Sequence, residues 1–343
     1  VISKQACERS ELSMKFQRTF TETIKSFFPL STIIDSALQF PITTTGWSVE
    51  LLTKDECDFD NPDYYLVLNL QDMLSSNLNE LDQIESHYSK FADMNRIIVC
   101  VWCTNLSKAN YSFRIVEHST HTVATVEQYK QYETELRQLF KHTNSEYKFL
   151  CMNRIEKQHR TTVAHKLHTL GTGNISMQSR GKELEYTNKT YTDYDVEYNN
   201  CTNLMSLAQN FNTSEFSVIT ESQYEVEYGI VSEKFYNTVV AQHPFIAVAQ
   251  RNYCSQIQRL GFKLYHCFDY GYDSVEDRYR IDKMLELNRV QLETGIDVDG
   301  CREVIDYNTE WFFNGFGREL QQRFELQLLR IWHSVDHQDP AVI

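Results

Sequence analysis

Two short apolar runs flank a charged helix start between Phe216 and Ala249, and few folds accommodate that order. Phe216, Val218 and Ile219 make a β-prone run that ends in Thr220-Glu221. After a loop comes Ser232-Glu233-Lys234, then Phe235, Tyr236, Val239 and Val240 at the spacing of one helical face. Pro244 stops that helix, and Phe245-Ile246-Ala247-Val248 reads as a second buried strand. Strand, helix and strand, with uniformly apolar strands, is the unit of a doubly wound parallel sheet.

Open sheets of this kind bind ligands outside the carboxyl ends of their strands, which puts Glu221 at the expected ligand edge. Ser232 is a good N-cap and leaves Glu233 and Lys234 in the first helical turn. Free backbone N–H groups and the helix dipole favour a phosphate there, with Lys234 as a point charge and Glu233 accepting from sugar hydroxyls. The same residues also suit plain capping, because an acid in the first turn complements the dipole without any ligand.

Upstream, Tyr64 to Leu70 and Ile97 to Trp102 read as buried strands on either side of a helix from Asn77 to Ala92. Phe16, Phe20, Ile24 and Phe27 form a core-facing helical stripe before Pro41. Thr122 to Val126 is expected as a further strand and Tyr129 to His142 as a helix. Two α/β domains follow, 1–144 and 145–343, with the boundary near Thr143-Asn144-Ser145. Residues 171–200, rich in Tyr, Thr, Asn and Glu, read as a polar excursion over the site rather than core. Tyr253 to Leu260 is expected to be a helix closed by Gly261, Phe262 to Tyr265 a strand, and Arg278 to Glu293 a helix. Leu320, Phe324, Leu328 and Ile331 line one face of a last helix, suited to packing across both domains or to filling a core.

At Glu221 and Ser232-Glu233-Lys234 the chain resembles the donor-binding motif of fucosyltransferase-like glycosyltransferases of the GT-B type. A second block is similar to the start of that family's C-terminal domain: Lys148-Phe149-Leu150-Cys151-Met152-Asn153-Arg154, then His159-Arg160, Leu167 and Leu170. Ser222 and Ser232 stand where the family has Asn and Thr, and the segment between the two glutamates is longer. The likeness spans roughly Tyr147 to Phe268. It implies two Rossmann-like domains with a cleft between them, the C-terminal one gripping a nucleotide-diphosphate sugar. By the same resemblance Arg160 and Lys234 meet the diphosphate, Glu221 and Glu233 meet ribose or sugar hydroxyls, and Asn153 and Ser232 belong to the same donor site.

Composition narrows the alternatives. A chain of 343 residues, 41% hydrophobic, can bury a sizeable core, and it contains no apolar run long enough to span a membrane. The polar opening from Val1 to Ser13 argues against a secretory signal in the chain as given and favours a cytoplasmic location, while a removed upstream anchor stays open. Nine scattered cysteines suggest reduced thiols, and Cys100-Val101-Trp102-Cys103 has no partner pair for zinc. A formal charge of −14 argues against broad nucleic-acid binding. Asp58-Phe59-Asp60, Asp193-Tyr194-Asp195 and Asp297-Val298-Asp299 match the short motif that holds a divalent metal in another glycosyltransferase fold. A site already supplied with Arg160 and Lys234 does not require that metal, and a divalent metal on the diphosphate stays open as an alternative. No Gly-x-Gly-x-x-Gly, Walker loop or Gly-x-Ser-x-Gly is present, which disfavours dinucleotide dehydrogenases, P-loop ATPases and α/β-hydrolases.

The expected activity is sugar transfer from a nucleotide-diphosphate sugar to an acceptor hydroxyl, inverting and metal-independent. Asp72, just beyond the strand ending at Leu70, is placed to be the general base, or to be a solvated helix cap. Two other readings stay open: a catalytically silent relative that binds a nucleotide sugar or glycan, and a viral glycosyltransferase acting on modified nucleic-acid bases.

Overall fold

Thr32–Asp35 (β1), Leu66–Leu70 (β2), Ile97–Val101 (β3) and Arg114–Glu117 (β4) form a sheet in the order β1-β2-β3-β4, every pair parallel. This computed structural model describes residues 20–35, 51–70, 79–101, 111–140, 145–153, 156–179, 182–183, 204–226 and 229–336. It divides into two compact units, Val1–Ala124 with Arg318–Ile343 and Thr125–Gly317. The sequence reading put a single boundary at 144/145; here the chain passes between units at 124/125 and again at 317/318.

The first unit is built around that sheet. All five residues of β2 and all five of β3 are buried, as strands covered on both faces must be. Val67, Ile98, Cys100 and Val116 share a core with Phe20, Ile24 and Phe28 from residues 20–28, where 20–27 form a helix (α1). Phe324, Leu328 and Ile331 of the last helix, Gly317–Asp336, complete the same core. Each such side chain contributes roughly 1.5–3 kcal/mol on burial. Phe20 and Ile24 are buried in α1 as expected, but the next buried position is Phe28, just past the helix, with Phe27 only partly covered, so the stripe shifts by one residue at its end. Asn79–Tyr88 (α2) connects β2 to β3 and buries Leu81, Ile84 and Tyr88 at helical spacing.

Thr120–Gln131 (α3) overturns the expected strand at 122–126. Its buried positions Thr122, Thr125, Val126 and Tyr129 follow a helical period, and Ser119 caps it by accepting from the Thr122 N–H at 2.9 Å. Glu133–Leu139 (α4) follows directly.

The second sheet contains Tyr147–Asn153 (β5), Gly173–Ser179 (β6), Lys182–Glu183 (β7), Ser214–Thr220 (β8) and Phe245–Val248 (β9). Its order is β7-β6-β5-β8-β9, with only the two-residue β7 antiparallel. Gln158–His168 (α5) links β5 to β6, Ala208–Asn212 (α6) precedes β8, and Glu233–Val240 (α7) links β8 to β9. From β5 the chain moves to one side, to β6, and then returns to the other side, to β8. The carboxyl ends of β5 and β8 therefore flank a topological switch point, where crossovers diverge and leave a crevice.

Composition grouped Gly171–Asn200 as an excursion, yet Gly173–Ser179 is a sheet strand with Asn174, Ile175 and Ser176 buried; residues 184–200 lie outside the described residues. Gly173 is opposite Phe149 in the ladder, and a Cβ there would fall 2.1 Å from the Phe149 ring. After β9 come Tyr253–Arg259 (α8), Asp277–Leu287 (α9), Arg289–Thr294 (α10) and Arg302–Trp311 (α11). Gly261 ends α8 with φ +92°, as the sequence implied. The expected helix at 278–293 is broken at Asn288, whose side chain bonds Asp269 instead. The expected strand at 262–265 is irregular backbone.

Candidate functional site

The β5–β8 switch point is where the charged residues of the sequence reading converge. Asn153 closes β5 and Thr220 closes β8, and the Thr220 hydroxyl hydrogen-bonds the Asn153 Oδ1, so the two strand ends are tied together. Asn153 Nδ2 also donates to the Ser176 carbonyl of β6 at 3.3 Å. Asn153 is thus a buried brace beneath the site.

Glu221 follows directly and is 1% exposed. Its Oε1 accepts from the Ser232 N–H at 3.0 Å and the Tyr253 hydroxyl at 2.6 Å. Its Oε2 accepts from the Ser232 hydroxyl at 2.5 Å and the Ser222 N–H at 3.2 Å. Those four bonds match the four lone-pair positions of a carboxylate. Burial, then the Glu221 charge, raise the Tyr253 phenol well above its ordinary range, which keeps it a donor. Glu221 therefore fastens the start of α7 to the end of β8. Ser232 is the N-cap, as the sequence implied, accepting from the Lys234 N–H at 3.3 Å.

Cations gather on the other side of Ser222. Lys157 Nζ donates to the Ser222 carbonyl at 2.6 Å. Arg160 Nη2 and Lys234 Nζ both reach the Ser222 hydroxyl at 3.3 Å, and Arg160 Nε donates to the Glu221 carbonyl at 3.3 Å. Glu233 pairs with Lys234 at 3.3 Å. Three cations thus surround one serine, with Glu221 committed to the loop and Glu233 already beside Lys234.

That crowding shows in the titration of the group. Although Lys157 lies at the surface, partial desolvation of its ammonium, followed by the charges of Arg160 and Lys234, holds it below the ordinary lysine range. His159 is pushed down to about 4, chiefly by burial and further by Arg160, Lys157 and Lys234, against a hydrogen bond to the Glu221 carbonyl. Arg160, 2% exposed, is lowered by burial and partly restored by Glu221 and Glu233. The first turn of α5 carries no acid, and its N-cap residue Lys157 makes no side-chain cap bond. A helix N-terminus with that composition favours an anion.

The loop beyond Ser222 is held by a second buried cation. Tyr224 stacks on His159 with ring centroids 5.1 Å apart and donates to the Asp277 carbonyl at 2.5 Å. Arg280 lies 5.0 Å from the Tyr224 ring centroid and donates to the Ala249 and Val275 carbonyls at 2.6 and 3.0 Å.

The structure brings together six of the residues singled out in the sequence: Asn153, Arg160, Glu221, Ser232, Glu233 and Lys234. Asp72 lies outside the described residues. Lys157, Ser222 and Tyr253 were not assigned from sequence; Lys157-x-His159-Arg160 at a helix start was the available signal for the first. Among the described residues no three His, Cys, Asp or Glu side chains converge on a metal position. Asp297 caps the Gly300 N–H at 3.0 Å and Asp299 faces Arg302 at 3.7 Å. No described helix is long and apolar enough to cross a membrane. The chain matches no protein-family model and no curated protein.

Proposed function

We propose that the switch-point site binds the diphosphate of a nucleotide sugar and that the protein is a glycosyltransferase of the GT-B kind, inverting and without a required metal. The observation that carries this reading is the convergence of Lys157, Arg160 and Lys234 on Ser222 at the carboxyl edge of β5 and β8. Glu233 beside Lys234 offsets part of this like charge, and a diphosphate brings further charge and acceptors for all three cations. The planar Arg160 fork suits two phosphate oxygens, while the lysines act as point charges. During transfer the nucleoside diphosphate leaves with growing negative charge, and fixed cations that meet it lower the barrier. Glu233, 40% exposed at its side chain and paired with Lys234 at 3.3 Å, accepts from donor hydroxyls. Glu221 acts through the loop it fastens, because its carboxylate is occupied by the chain itself.

The test is a thermal-shift panel of nucleoside monophosphates, diphosphates and nucleotide sugars on wild type and Lys234→Ala. A ligand at about 100 times its Kd adds about 2.7 kcal/mol, enough to read clearly. The expected result is a diphosphate-dependent rise in Tm that shrinks in Lys234→Ala. No rise with any diphosphate, or an equal rise in the variant, overturns the reading. A clear rise without nucleoside diphosphate release to any acceptor keeps the site and replaces transfer by binding alone.

A further inference from the structure

Residues 261–273 form no strand, yet side chains from this segment reach the outer edge of β9. Tyrosine hydroxyls take over the ladder: Tyr270 donates to the Phe245 carbonyl at 2.6 Å, and Tyr272 accepts from the Ala247 N–H at 3.0 Å. Asp273 then caps α8 through the Cys254 and Ser255 N–H groups at 2.9 and 3.2 Å. Covering an open strand edge in this way protects it from pairing with other chains.

One residue of that cover, Cys267, carries its Sγ only 3.2 Å from the Sγ of Cys301. Cys301 closes the turn Asp299–Cys301 that opens α11, 34 residues further along the chain. Gln291 fixes the Cys267 backbone by donating to its carbonyl at 2.8 Å. Cys267 is partly exposed and Cys301 is fully buried. A disulfide needs the sulfurs about 2.0 Å apart, a closure of roughly 1 Å from this contact.

We infer that Cys267 and Cys301 are a reversible dithiol–disulfide pair, a modification site that exchanges with a small disulfide such as oxidised glutathione. Access selects Cys267 as the first sulfur to react. Its thiolate attacks one glutathione sulfur, a Cys267–glutathione bond forms, and the first glutathione leaves and takes up the Cys267 proton. The Cys301 thiolate then attacks the Cys267 sulfur, forming the protein disulfide and expelling the second glutathione, which takes the Cys301 proton. Two electrons pass from the cysteine pair to glutathione disulfide, and two reduced glutathiones result.

The neighbouring sulfur acts on the two thiols in opposite directions. Their shared hydrogen bond is the main influence on each, lowering the Cys301 thiol below the ordinary cysteine range and raising that of Cys267, so access rather than acidity makes Cys267 the first to react. Two other described cysteines, Cys151 and Cys254, are placed differently. Burial pushes Cys151 up to about 12 and raises Cys254 well above its usual range, and both are buried. Without access such thiols stay inert.

The experiment treats the folded full chain with oxidised glutathione and reads intact mass, peptide map and Tm. Wild type is expected to lose two hydrogens, to yield a peptide joining Cys267 to Cys301, and to melt roughly 5–10 °C higher. Dithiothreitol should reverse all three. Cys301→Ser should stop at a mixed disulfide on Cys267, and Cys267→Ser should leave Cys301 unmodified. Both thiols remaining free in wild type under excess oxidised glutathione, a lasting mixed disulfide, or a cross-link to other cysteines would each overturn the inference. The wild-type peptide map decides the matter even where a variant fails to fold.

Discussion

The two sheets are made from the same kind of strand and end in opposite ways. In the first, strands follow one another in order, β1 to β4, so the described strands contain no reversal and no switch point. Its last carboxyl end is closed by packing: Gln327 bonds the Glu117 backbone at 2.9 and 3.1 Å, and His118 stacks on Phe324 with centroids 3.9 Å apart. In the second sheet the order reverses at β5, and the carboxyl ends there hold Lys157, Arg160 and Lys234. Strand order rather than strand composition decides which edge is filled with aromatic rings and which with charge.

The largest effect expected from breaking this contrast is in the aromatic closure. Phe324 is fully buried and stacks on both Phe20 and His118. Phe324→Ala should cost about 3–5 kcal/mol in urea unfolding. The diphosphate affinity of the folded variant should stay at the wild-type value, and a parallel loss of affinity would show that the two edges are not separate devices.

Next in size is a pH effect that both edges share for different reasons. Burial alone pushes His118 from its ordinary 6.5 to about 3. His159 falls to about 4 from burial together with its cationic neighbours. Each folded value lies below the unfolded one, so the unfolded chain binds protons first as pH drops. Stability is complete above about 6.5 and is lost as pH falls toward 4 and then 3, by a few kcal/mol at most. His118→Gln should reduce the slope of that dependence throughout the fall from about pH 6.5 when Tm is followed from pH 7 to 4. A bound diphosphate should raise the His159 value and reduce its share, while leaving that of His118 unchanged; equal changes at both would sink the contrast.

Much of this fold was legible in the sequence, and the losses have physical causes. The runs at 66–70, 97–101, 214–220 and 245–248 stood out because strands buried on both faces are apolar throughout. Gly173–Ser179 did not, since Gly, Asn, Ser and Gln dominate it and its place comes from pairing with β5. Residues 120–131 misled through their β-branched Thr and Val, although Ser119 and the 122-125-126-129 spacing already marked a helix. At the site, local chemistry pointed to Ser232 as a cap and to Glu233 and Lys234 in a first turn. That Arg160 would meet Lys234 on one serine depended on β5 lying beside β8, a pairing between segments some 60 residues apart that no local pattern encodes. The saturation of Glu221 was hidden for the same reason: Tyr253, one of its four donors, belongs to α8 beyond β9.

Glu221 gives the next prediction. Glu221→Gln keeps the shape but replaces one acceptor oxygen by a donor, so at least one of the Ser232, Ser222 and Tyr253 donors faces a clash or goes unpaired. A buried loss of that kind costs about 1–3 kcal/mol. Because the carboxylate does not face the ligand, affinity should fall only as far as the loop loosens. A much larger loss of affinity than of stability would place Glu221 on the ligand after all.

The smallest effect separates a cation that serves a ligand from one that serves the fold. Lys157 is exposed, and its ammonium donates to the Ser222 carbonyl. Arg96, in the first unit, spends its fork on the Asn61 and Phe59 carbonyls at 2.6 and 2.7 Å and pairs with Asp93 at 3.7 Å. Lys157→Ala removes one of three like charges, so it should relieve repulsion in the free protein and leave Tm nearly unchanged or slightly higher. It should also weaken diphosphate binding by roughly 3–10-fold, the effect of an exposed charge contact, and more steeply at low salt. Arg96→Ala should do the reverse, lowering Tm while leaving Kd alone. Isothermal titration of both variants at two salt concentrations checks the pair. If Lys157→Ala lowers Tm and spares Kd, the three cations around Ser222 are structural, and the second edge is closed by charge as the first is closed by aromatic rings.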